Sequence, residues 1–353
     1  MKKFGILLFV FVGLVSCNDE PSSNPKDIIT TDVSDTNLVD NNLDEINQYI
    51  IDNPNSEKGY YELAKYYLDN NEAENALNQI ERAMKIAPKD ANINYIKGKA
   101  YIALSKINLG LPFLERTIEL DSTHVDGKLD LAYYYLAARD FESSLMLINS
   151  TIRQNIYLAR PYYLKGMWYE LQEKNDLSIS SYQTAIERDP NYYDAYLALG
   201  SLYDRMDNPL AIQYFNSALT IWPESIEAWR LKGMSYYTHE DYEEAIICFD
   251  TILHFDSTFE VSYFDIGRTL INLCYDENPK ATNDSLLKLA IQNFDKALAI
   301  NVNYVPAKFN RALCYETKGN TTLAKAEYKA ILELEDNYEP AIKALNRLDR
   351  RGL

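Results

Sequence analysis

Histidine and cysteine are scarce in this chain, three of the first and four of the second among 353 residues. Three cysteines lie in the body of the chain, Cys248, Cys274 and Cys314, an odd number on predicted helices, so no disulfide framework is implied. They read as small buried hydrophobes; a Cys274–Cys314 bond is the alternative, needing a closer approach than the helix register suggests. His124, His239 and His254 fall near loop or helix-end positions, far apart, and none pairs with a second ligand at metal spacing. Basic residues are also short, 35 Lys and Arg against 52 Asp and Glu, for a net charge of −17. That balance argues against nucleic acid, which needs clustered cations to release counterions, and against close docking on anionic lipid. There is no G-x-S-x-G, P-loop or H-E-x-x-H, and pairs such as Glu243-Glu244 read as solvated helix charges. No catalytic apparatus, cofactor or metal is expected.

What the chain does have is a period. Small and aromatic residues recur about every 34 positions from Glu57 onward. In the first unit Tyr60, Leu63, Ala64 and Tyr67 share one face of a helix at 100° per residue. Ala76, Ile80 and Ala83 make a second stripe, whose alanines let two antiparallel helices cross closely, and Pro88 stops that helix. Asp69-Asn70-Asn71 between them is turn chemistry. The frame continues through Gly98 and Tyr101, Ala132 and Tyr135, Gly166 and Tyr169, Gly200 and Tyr203, Gly233 and Tyr236, Gly267, and finally Ala312 and Tyr315.

This pattern resembles the tetratricopeptide repeat, W-x2-L-G-x2-Y then A-x3-F then P, over a helix-turn-helix. The resemblance implies an all-α, right-handed superhelical solenoid, with roughly eight units over 57–338. The leucine position is Lys97, Lys165, Lys232 and Arg311 in four units, and the closing proline is Ser122, Ile156, Ser257, Val302 and Asp336 in five. Residues 43–56, with Ile46, Tyr49 and Ile50 in second-helix register, read as an N-terminal capping half-repeat, and 339–353 as a C-terminal capping helix. An insertion is expected near 275–286, between the two helices of one unit.

Lys2 and Lys3 precede an apolar run from Phe4 to Val15, too short to span a bilayer as a mature helix and built like a secretory signal. It ends Leu14-Val15-Ser16-Cys17. This resembles the bacterial lipobox, which implies loss of residues 1–16 and lipidation of Cys17 by several acyl chains, enough for stable anchoring. An ordinary cleaved signal, or a buried free cysteine at Cys17, is the alternative. Residues 17–42, rich in Asn, Asp, Ser and Thr, read as a disordered tether spanning roughly 25–30 Å. Asn18 is not the aspartate that resembles an inner-membrane retention signal, so outer-membrane delivery is expected, facing either the periplasm or the surface. Asp19-Glu20 resembles the acidic export signal of Bacteroidota surface lipoproteins.

In tetratricopeptide arrays the first helices line a concave face. Carried onto this chain, the family's ligand-facing offsets select Lys58, Tyr61 and Lys65, then Tyr95 and Lys99, Tyr133, and Arg160, Tyr163 and Met167. They continue with Arg205, then Arg230, Met234 and Tyr237, then Phe264, Arg268 and Phe309. Tyr, Arg, Met and Phe are types enriched at interfaces. The plainer alternative is that tyrosine is abundant, 29 in all, and that several rings pack between adjacent helices. The expectation is a non-catalytic scaffold or adaptor, lipid-anchored at a bacterial envelope, that clasps a peptide of a protein partner. The alternative is a glycan-binding surface lipoprotein whose exposed tyrosines stack on sugars. Alanine at Tyr95, Tyr163 and Phe264 together is expected to abolish capture with helical content intact.

Overall fold

The computed structural model describes residues 43–276 and 284–350, which form eighteen α-helices and no strand. The signal segment, Cys17 and the tether all fall outside the described residues, as do 277–283 of the expected insertion and 351–353. A lone helix, α1 (Leu43–Asp52), comes first. Eight antiparallel pairs follow. They are α2/α3 (Glu57–Asp69, Ala73–Ile86), α4/α5 (Ala91–Ala103, Ile107–Leu120), α6/α7 (Val125–Ala137, Phe141–Gln154) and α8/α9 (Arg160–Glu170, Asn175–Arg188). Then come α10/α11 (Tyr193–Arg205, Leu210–Ile221), α12/α13 (Ile226–Thr238, Tyr242–Phe255), α14/α15 (Glu260–Asp276, Asp284–Ile300) and α16/α17 (Val305–Thr317, Thr321–Leu334). The single helix α18 (Glu339–Arg350) follows the last pair.

Each pair is held at its waist by the small residue seen in the sequence. A Cβ on Gly166 would stand 2.4 Å from the ring of Tyr182, on Gly200 2.5 Å from Phe215, on Gly233 2.6 Å from Phe249 and on Gly267 2.6 Å from Phe294. In these four units the second helix thus drives a buried ring onto the bare backbone of the first, and in the second unit Leu114 takes the ring's place over Gly98. Where the second helix offers isoleucine instead, at Ile80 and Ile148, the facing residue is Ala64 or Ala132. All these side chains are essentially buried.

The turn inside each pair is equally repetitive. Asn71, Ser105, Arg139, Glu173, Asp207, Glu240 and Gly319 each have φ between 55° and 76°, and each lies seven residues after the small residue of its first helix. The following amide closes the helix end, as in Glu72 N to Tyr67 O (2.7 Å) and Lys174 N to Tyr169 O (3.0 Å), the pattern of a left-handed C-terminal cap. In the seventh unit Cys274 occupies this place inside α14, so the helix runs on instead of turning. Both α14 and α15 reach 17 residues, and the helices thereby absorb both ends of the expected insertion.

Neighbouring pairs stack. First helices also touch first helices, α2 with α4, α6 with α8, α10 with α12 and α14 with α16, whereas second helices make no comparable contact with each other among the described residues. The first helices therefore lie on the tighter, inner side of the superhelix.

Candidate functional site

The inner face is a polar and aromatic lining in which most side chains already hold the next repeat. At its N-terminal end Lys58 and Lys99 are exposed. The Lys65 ammonium stands 5.6 Å from the Tyr61 ring centre and 3.4 Å from Glu62, and that of Lys99 5.8 Å from the Tyr95 ring. Burial raises the Tyr61 and Tyr95 hydroxyls above their ordinary range. Tyr95 donates to Asp130 Oδ2 at 2.8 Å, one repeat further on, and Asp130 is also ion-paired to Arg160 of the repeat after that. One carboxylate thus ties three successive first helices.

A second carboxylate ties two first helices further along, α12 and α14. Asp265, 1% exposed, accepts from Arg230 Nε at 3.2 Å in the preceding unit and from Arg268 at 3.1 Å on its own helix. Burial pushes its carboxyl above the usual range, against the pull of the two guanidiniums. Arg268 lies 4.1 Å from the Tyr237 ring centre and 5.7 Å from that of Phe264, and reaches Met234 Sδ at 3.0 Å. Arg230, Met234, Tyr237, Phe264 and Arg268 are therefore one patch. Asp130 and Asp265 did not figure among the expected residues. Both stand two positions before the small residue, where the other units carry Ile96, Leu164, Ala198, Leu231, Asn310 or a third acid, Glu62.

Several expected groove rings are packing elements as well. Tyr163 contacts the rings of Tyr182 (5.7 Å) and Tyr192 (5.4 Å), Phe264 those of Phe294 (6.2 Å) and Tyr304 (5.4 Å), and Phe309 those of Tyr328 and Tyr338 (5.7 Å each). Each such ring is wedged between its own second helix and the start of the next repeat. Met167 is similarly half-buried, between the clusters on either side of it. Alanine at Tyr95, Tyr163 and Phe264 would consequently loosen the stack itself, and that triple change is a poor probe of capture. Of the groove tyrosines only Tyr133, at 37%, is more than about a third exposed. Arg205 is exposed and ion-paired with Glu170, whose other oxygen accepts from the buried Tyr182 hydroxyl at 2.6 Å. Lys58, Tyr61 and Lys65 sit at one end of the face and Phe309 at the other, too far apart for a single contact.

Cys248, Cys274 and Cys314 are buried, without a disulfide among the described residues. Burial raises the thiol of Cys248 to about 11 and that of Cys314 to about 12. The histidines serve helix ends or helix backbone: His124 Nδ1 caps α6 by accepting from Gly127 N at 2.9 Å, His239 caps the end of α12, and His254 Nδ1 lies 2.9 Å from the Asp250 carbonyl within α13.

Family models described as tetratricopeptide repeat match residues 57–90, 159–192 and 305–338, residues 181–214, and residues 201–258. These segments of the chain are tetratricopeptide repeats. A tetratricopeptide repeat-containing protein of Methanocaldococcus jannaschii is 23% identical over 336 residues, covering 86% of this chain and 54% of that protein. A DnaJ homolog subfamily C member 7 homolog of Dictyostelium discoideum is 26% identical over 278 residues, covering 69% of this chain and 49% of its own length. This chain spans about half the length of these two relatives. Among solved structures, the anaphase-promoting complex hetero-tetramer Cut9–Hcn1 aligns with a TM-score of 0.51 at 16% identity, covering 88% of this chain and 59% of that one, a likeness of fold. Tetratricopeptide repeat proteins serve as scaffolds for protein–protein interaction.

Proposed function

We propose that the inner face holds a segment of a partner protein, and that the chain works as a non-catalytic scaffold anchored through lipidated Cys17 at a bacterial envelope, on the outer membrane. The observation that carries the binding reading is the set of hydrogen bonds and ion pairs that join the lining from repeat to repeat. Asp130 ties α4, α6 and α8 and Asp265 ties α12 to α14, so the exposed Lys99, Tyr133 and outer edge of Arg230 are presented from helices held to their neighbours, with Lys58 and Arg205 exposed on the same face. A preorganised surface loses less side-chain freedom on binding than a mobile one. The Lys2–Cys17 pattern supports the anchor, and the family's use as scaffolds supports the partner class.

A photo-crosslinking residue placed at Tyr133 or Lys99, compared with one at the outward-facing Met146 or Ile247, tests the surface. Discrete protein adducts from the inner positions alone support the reading; adducts only from the outer positions contradict it. Cys17→Ser should release the chain from the membrane fraction, and retention there would remove the anchor from the account. The glycan reading needs several exposed ring platforms, and a tyrosine lining in which only Tyr133 is more than about a third exposed favours the protein partner.

A further inference from the structure

The two ends of the described array are complementary halves of one repeat. The register of α1 is that of a second helix, and no described first helix packs on its outer side. The register of α18 is that of a first helix, and no described second helix covers it. The free faces are opposite in charge. Along α1 the exposed residues include Asp44, Glu45, Gln48 and Asp52, with no basic residue on the helix. On α18, Lys343, Asn346, Arg347 and Arg350 line a shallow depression on the exposed side; Lys343 is ion-paired to Glu339 and Arg347 to Glu316, and the three basic residues of the helix outnumber its two acids, Glu339 and Asp349, by one.

These residues stand at the positions that join the two helices of every complete unit. Glu45 and Gln48 occupy the register of Phe113 and Tyr214, which stack on Tyr101 and Tyr203 of their own first helices, and of Arg82 and Lys296, which lie over Tyr60 and Tyr263. Lys343 and Arg350 occupy the register of Phe309 and Glu316, both of which contact Tyr328 of the second helix. Asn346 replaces the alanine or glycine of the waist, so the contact offered by α18 is polar rather than ring-on-glycine.

We infer that α18 of one copy receives α1 of another, completing a ninth helix pair between molecules and joining copies head to tail. A contact of this kind uses two different patches, leaves a free patch at each end, and so grows into chains of copies rather than closed dimers. The pairing of acid on α1 with base on α18 sets its direction and makes it sensitive to salt. This contact lies at the ends of the array, beyond the inner-face residues from Lys58 to Phe309, so its failure leaves the proposed function standing.

Sedimentation velocity of the full chain over a concentration series tests the inference, with circular dichroism confirming the fold of each variant. At low salt the weight-average sedimentation coefficient should climb with concentration, and 0.5 M salt should return it to the monomer. The double variants Lys343→Glu/Arg350→Glu and Glu45→Lys/Asp52→Lys should each associate at least tenfold more weakly than the natural chain. Neither touches the Arg347–Glu316 ion pair that holds α18. Mixed together, the two variants should associate again, because each then offers the other an opposite charge at both ends. A natural chain that stays monomeric at every concentration, association that charge reversal leaves unchanged, or a mixture that stays monomeric would each overturn the inference.

Discussion

Adding a single methyl group at Gly200 tests the packing rule on which every unit depends. Gly200 is helical and buried, so alanine there should gain roughly 1 kcal/mol of helix propensity, and on a free helix the change would stabilise. Here the new Cβ lies 2.5 Å from Cε1 and 2.6 Å from Cδ1 of Phe215, a ring that is 1% exposed and has nowhere to retreat. Overpacking of this kind costs about 1–3 kcal/mol. The clash should win, leaving Gly200→Ala destabilised by roughly 1 kcal/mol net once the propensity gain is subtracted. Ala312 faces Tyr328 within this same chain, so the cost is one of repacking and not of exclusion. Urea denaturation followed by circular dichroism, with hydrogen exchange on α10 and α11 to localise the effect, measures it. The decisive arm is the cycle with Phe215→Ile, which reproduces the alanine–isoleucine waist already present at Ala64/Ile80 and Ala132/Ile148. The two changes should couple favourably by about 1–2 kcal/mol. A Gly200→Ala chain more stable than the natural one, with no coupling to Phe215, would refute the reasoning.

Glu173→Gly and Glu240→Gly relieve side chains held at φ of 58° and 69°, and each should stabilise by roughly 0.5–1 kcal/mol after glycine's freer unfolded chain is set against the gain; a lower urea midpoint would contradict this. Asp265→Ala leaves Arg230 and Arg268 facing each other without their buried counter-charge and should destabilise by about 3 kcal/mol, read by the same titration. His239 has its pKa raised above 6.5 because Nδ1–H donates to the Ser235 carbonyl at 2.7 Å, with Asp204 and Asp207 adding to the effect. A raised folded-state pKa means that the stabilisation is fully present below the ordinary value and lost as pH rises through the folded one. An NMR titration placing His239 at or below 6.5 would contradict that assignment.

The parts of this fold that were legible in sequence are those that repeat locally. The small residue recurs at a fixed place in its own helix pair, so Gly166 and Gly200 showed in the period, whereas their contacts with Tyr182 and Phe215 are seen in the structure. Ties between repeats were not legible in the same way. Whether Tyr95 faces solvent or donates to Asp130, 35 residues on, depends on how closely successive first helices approach, and that is a property of the superhelix and not of any one helix. The offsets carried over from the family took exposed positions one residue after the waist, Lys99 and Tyr133, together with Tyr163, Phe264 and Phe309 three residues before it, which are wedged against the next repeat. Aromatic residues at the start of that next repeat, Tyr192, Tyr304 and Tyr338, close over these three rings. The extension of α14 through Cys274 was hidden too, because nothing local distinguishes a helix that runs on from one that turns until the left-handed residue is missing.

The central claim is that the partner lies along the inner side of the superhelix. Hydrogen exchange of the chain, alone and with the protein captured by the inner-face crosslinker, tests it most directly. Slowed exchange in first helices from α2 to α16, with the second helices unchanged, is the predicted result. Protection confined to second helices, or to the outer side of the array, would contradict it.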